Sequence, residues 1–146
     1  MKVYSLLIAF IFIIGCSGAV RTSLNPEEKS YVFYENNSKS IGETFDAVDE
    51  WFAINTKSYK DVVQLKDKES GKFIVKIVME VSVGMTKLPM NYTLIIKISE
   101  KEIVFNFEIG EMATSYGGYP PESSIDEIKN EFASIKNSIL DKITNY

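Results

Sequence analysis

The run KFIVKIVMEVSV, residues 72–83, alternates so strictly that it admits one secondary structure. Phe73, Val75, Ile77, Met79, Val81 and Val83 fall on one side of an extended chain, and Ile74, Lys76, Val78, Glu80 and Ser82 on the other. Side chains two apart share a face of a strand, whereas the same residues would scatter around a helix. A strand with one wholly apolar face needs neighbouring strands for its backbone groups and a covering layer for that face. The rest of the chain offers both.

Residues 61–66 form a predicted strand before it, joined through Asp67, Lys68, Glu69, Ser70 and Gly71, whose glycine can take the positive φ of a hairpin corner. Two further strands are predicted at 92–99 and 103–109 around a charged corner at 99–102. Tyr92, Leu94, Ile96 and Ile98, then Ile103, Phe105, Phe107 and Ile109, continue the apolar face. Residues 31–34, ahead of the turn-like 35–38, give a first strand. Ser40 and Glu43 have the spacing of a capping box, and Ile41, Phe45, Val48 and Phe52 follow at helical intervals, with Trp51 as an anchor at the core edge. Ser124 and Glu127 repeat the capping pattern before Ile125, Ile128, Phe132, Ile135, Ile139 and Ile143, one stripe of a long terminal helix. The Tyr, Gly and Pro residues of 116–121 suit a connection crossing from sheet to helix. The order strand, helix, four strands, helix, without repeats, predicts an α+β two-layer sandwich: an antiparallel sheet with both helices on one face.

With 146 residues, 45% of them hydrophobic and 25% charged, the chain suits one globular core without disulfide or metal. There is no histidine and only one cysteine, which excludes Ser-His and Cys-His nucleophile pairs and imidazole metal sites. Asp67 and Glu69 are too few for a calcium loop and stand among Lys66, Lys68 and Lys72. Asp46, Asp49 and Glu50 cluster on the first helix and read as solvated charges. No metal, cofactor or catalytic residue is expected. The alternative is carboxylate-based catalysis in a soluble exported protein.

The single cysteine has a telling position. Met1 and Lys2, an apolar stretch over 3–14 and Gly15 read as a secretory signal, since that stretch is shorter than the roughly 20 residues a membrane span needs. Ile13, Ile14, Gly15 and Cys16 resemble the bacterial lipobox, which implies acylation of Cys16 at the mature N-terminus. Ordinary cleavage after Ala19 also fits and would leave a soluble periplasmic or secreted protein. The expected layout is a lipoprotein signal at 1–15, a flexible tether at 16–29 and the domain at 30–146. The residues following Cys16 lack an acidic cluster, which suggests a periplasm-facing place in the cell envelope.

Residues 31–143 resemble a bacterial family of unknown function described as having a TATA-box-binding-protein-like fold. The likeness is clearest at Glu50, Trp51, Phe52 and Ala53 and through DVVQLKDKESGK, residues 61–72. The resemblance implies the same element order and an exported protein, and it brings no catalytic or binding residues. DNA-binding relatives of that fold use two domain copies to make a basic saddle. Here one copy sets Lys76 and Lys97 beside Glu80 and Glu108 within a net charge of −4, so nucleic acid is not an expected partner. The expected partners are the membrane, through the lipid, and a protein of the envelope. Ile74, Val78, Ile95 and Val104 are outward strand positions that are apolar, and with Lys76 and Lys97 they form the candidate partner surface.

Overall fold

The computed structural model describes residues 20–114 and 117–146. Eight elements follow in order: β1 (Ser30–Asn36), α1 (Ile41–Asn55), α2 (Tyr59–Val62), β2 (Val63–Asp67), β3 (Lys72–Val83), β4 (Thr86–Ile98), β5 (Glu102–Met112) and α3 (Ile125–Thr144). The strands form one sheet in the order β1-β5-β4-β3-β2, antiparallel at every pairing. The first strand thus lies beside the last.

The apolar face read from the alternation is the buried one. Phe73, Val75, Leu94, Ile96, Phe105 and Phe107 have no exposed surface, while Lys76, Glu80, Lys97 and Glu108 face solvent. Rings show what covers that face. Phe45 of α1 stacks on Phe73 of β3 with centroids 4.2 Å apart. Phe132 of α3 stacks on Phe107 of β5 at 4.5 Å and meets Tyr92 of β4 at 5.1 Å. Both helices therefore lie on one sheet face, side by side. Trp51 stands at the core edge, perpendicular to Phe52, and its Nε1 donates to Ser138 Oγ at 3.0 Å. The capping box at α1 is formed, with Glu43 N donating to Ser40 Oγ and Ser40 N to Glu43 Oε2.

Four local expectations are revised. The strand predicted from residue 61 begins at Val63, because 59–62 make a single helical turn in which Val62 N bonds Ser58 O. The strand predicted from residue 92 begins at Thr86, since Gly84 and Met85 close a two-residue hairpin with Val83 opposite Thr86. Gly84 has φ +62° at the first corner position, where a type II′ turn takes glycine. The capping box at Ser124 does not form. Ser124 Oγ instead donates to Ser82 O, and Glu127 Oε2 accepts from Ser82 N at 3.0 Å, so both residues finish β3 rather than α3.

The fourth revision concerns the expected tether. From Val20 onward, residues 20–29 are docked rather than free. Arg21 and Tyr119 exchange two backbone hydrogen bonds, Leu24 is buried, and 26–28 form a 3₁₀ turn. Arg21 also donates from Nε to Pro120 O and pairs with Glu28, both at 2.8 Å. A single apolar residue and one arginine are thus enough to fasten a stretch without either structural period. The expected signal, Cys16 and residues 17–19 lie outside the described residues, as does Tyr116.

Gly71 and Gly84 share nearly the same positive φ but not the same surroundings. A Cβ on Gly71 would fall 2.3 Å from the Ile98 carbonyl oxygen, whereas Gly84 has nothing within 4 Å. Gly84→Ala is expected to cost about 1 kcal/mol in urea unfolding, the left-handed conformation alone, and Gly71→Ala more than about 3 kcal/mol. Equal losses would show that the Gly71 approach is not held. Phe105→Ala should cost about 3–5 kcal/mol, as for a fully buried ring; a loss below about 1 kcal/mol would mean that the two sheet faces are exchanged.

Candidate functional site

Covering one sheet face with both helices leaves the other open, and strand register decides which side chains meet there. One transverse row crosses all five strands: Val32 opposite Asn106, Asn106 opposite Ile95, Ile95 opposite Ile74, and Ile74 opposite Leu65. Four of its five members are aliphatic. Val32 is 44% exposed and Leu65 40%, with Ile95 and Ile74 partly covered between them. The exception is Asn106, whose Oδ1 is buried and has no hydrogen-bond donor among the described residues, while its Nδ2 reaches Glu108 at 3.3 Å.

Charged rows flank this band. On one side lie Tyr34, Val104, Lys97 and Lys72, with a depression of about 470 Å³ lined by Lys72, Lys97, Glu102 and Val104. On the other lie Glu108, Thr93 and Lys76. The register thus joins Ile74 to Ile95 and Lys97 to Val104, with Lys76 one row away. Val78 stands apart, two residues further along β3 than Lys76 and 56% exposed. Sequence reading missed Val32, Tyr34 and Leu65, the contributions of the edge strands. Their alternation was visible in residues 31–34 and 61–66, yet short runs carry little weight until a register places them beside longer strands.

The acidic group on α1 is tied up locally. Lys68 pairs with Asp46 and Lys66 with Asp49, both at 2.6 Å, and Lys142 with Glu50 at 2.9 Å. The Asp49 hydrogen bond holds the Lys66 ammonium above its ordinary pKa. Asp67 spends its oxygens within its own turn, accepting from Ser70 Oγ and from the Glu69 and Ser70 amides, and these bonds hold its carboxyl below the usual range. Among the described residues no group of acidic, histidine or cysteine side chains is arranged to hold a metal, and no helix is long and apolar enough to cross a membrane.

A surface of this kind can bind but holds no array of reacting groups, so likeness to known proteins bears mainly on the scaffold. A TBP-like protein from Parabacteroides distasonis superposes with a TM-score of 0.61 at 14% identity, covering 85% of this chain and 97% of that one. A DUF4468 family protein from Bacteroides ovatus superposes with a TM-score of 0.56 at 10% identity, covering 81% and 90% respectively. No curated protein sequence matches the chain. At these identities the superpositions speak for the fold alone. The family model described as a domain of unknown function (DUF4468) with TBP-like fold matches residues 30–109. Carried by the sheet and α1 through more than half of its length, this chain belongs to that family.

Proposed function

We propose that this protein is an exported, lipid-anchored component of the bacterial cell envelope that binds a protein partner through its outward sheet face, without catalysis. The observation that carries the reading is the aliphatic band of Val32, Ile95, Ile74 and Leu65 around the orphaned Asn106 oxygen. A buried acceptor without a donor costs free energy, and a partner group donating to it would recover that cost while covering the band. Apolar surface rimmed by charges is the usual anatomy of a binding patch. The mixed signs of Lys76, Lys97 and Glu108 suit a protein better than a polyanion.

Attachment would be through Cys16, for which the lipobox-like Ile13, Ile14 and Gly15 are the support. With Arg21 fastened to Tyr119, four residues, 17–20, would separate Cys16 from the docked segment, a reach of at most about 3.6 Å each. Such a link holds the docked end of the domain close to the membrane.

Cells fed labelled palmitate should label the native protein and not Cys16→Ser; mature protein that begins at Val20 and stays soluble would overturn the anchor. For the binding face, Ile95→Glu combined with Val104→Glu should leave the melting temperature nearly unchanged, since both side chains can reach water. Recovery of co-purifying envelope proteins should fall by at least about tenfold, because a charge buried against an apolar partner costs several kcal/mol. Full recovery would remove the outward face from the proposal.

A further inference from the structure

The strands β2 and β3 are of very unequal length, and the difference leaves a gap in the sheet edge. β2 pairs with β3 only from Lys72 to Val75. Farther along, Ser82 donates its N–H to Glu127 and accepts from Ser124 at its carbonyl, so its backbone points away from β4. In an antiparallel ladder, residues two apart direct their backbone groups to the same side. Val78 and Glu80 therefore turn their N–H and C=O groups outward from the sheet, and among the described residues no strand pairs with them on that side. The open stretch, residues 77–81, is about 17 Å of strand, closed at one end by β2 and at the other by the Ser82 cap.

A cleft of about 400 Å³ adjoins this stretch, between the C-terminal end of α1 and the side of α3. Trp51, Met79 and Ile135 supply apolar walls. Tyr92, only 2% exposed, lines it, and among the described residues its hydroxyl has no hydrogen-bond partner. Burial first, and the nearby Glu131 second, push the Tyr92 pKa up, so the hydroxyl keeps its proton. Glu80, Glu127 and Glu131 face Lys87 as the one cation of the lining, and neither Glu80 nor Glu131 has an ion-pair partner among the described residues.

We infer that this gap is a docking site for an extended basic peptide, which adds a short strand to β3 and sends a lysine or arginine side chain into the cleft. Main-chain hydrogen bonds to Val78 and Glu80 would give the register, as in strand addition generally. The cleft would select the side chain, its walls taking the methylenes and its carboxylates and the Tyr92 oxygen the cation. A second copy of this chain is disfavoured because its own open stretch, residues 77–81, carries Glu80 and no lysine or arginine for the cleft. The inference is independent of the outward face and of the lipid.

The test uses the full chain in detergent and a fluorescein-tagged, end-blocked Val-Lys-Val-Lys-Val peptide. Anisotropy should rise on titration, amide exchange should slow across residues 76–82, and Glu131→Lys should weaken binding by at least about tenfold while leaving the melting temperature unchanged. Should that variant fail to fold, Glu80→Lys carries the same expectation. The same peptide with alternate backbone amides methylated should not bind, nor should Val-Glu-Val-Glu-Val. Any of four results would overturn the inference: no binding at millimolar peptide, equal binding of the glutamate peptide, exchange protection elsewhere than 76–82, or a dimer through this edge without peptide.

Discussion

Phe132 on Phe107 and Phe45 on Phe73 are the contacts on which the rest of the molecule depends. Each joins a helix to the same face of the sheet, and offset ring stacks of this kind contribute both buried area and a preferred geometry. With two helices side by side on that face, the described residues cover the sheet on one side only. The opposite face is then left to whatever side chains the alternation puts there. The candidate site is thus a consequence of how the core is closed, which explains why a band of aliphatics can exist in the open without disturbing the fold.

The sheet edge follows a second constraint. Long strands need their outer backbone groups satisfied, and edges are otherwise templates for unwanted pairing. At one end β3 is completed by β2, and at the other by Ser124 and Glu127, whose side chains serve Ser82 rather than cap the start of α3. These two groups also couple the start of α3 to the hairpin of β3 and β4. Between them the edge stays open, beside a cleft whose charge would repel acidic partners.

Family membership and the Parabacteroides and Bacteroides superpositions bear on the scaffold, and a scaffold of this kind does not carry a role with it. The distinguishing features lie in the side chains: an aliphatic row interrupted by Asn106, lysines on one flank, and Glu80, Glu127 and Glu131 around Tyr92. A nucleic-acid saddle would need a basic face, whereas this one mixes Lys76 and Lys97 with Glu108.

Periodicity in the sequence was sufficient for the five strands and two long helices, their order, the buried face and the two-layer class, because each of these follows from the spacing of apolar residues along a local stretch, though not for the short α2. Cys16 and its lipobox-like neighbours are likewise legible only in the sequence. The docking of residues 20–29 was not legible, since Arg21 acts through Tyr119 and Pro120, about a hundred positions away, and Leu24 through burial in a core built by distant elements. Nor was the second capping box correctly readable: Ser124 and Glu127 have the right spacing, but Ser82 competes for both. The aliphatic band and the open edge arise from register, from which residue stands opposite which and from one strand outlasting its neighbour. Those relations are set by contacts between residues far apart in the chain, so tertiary structure alone decided them.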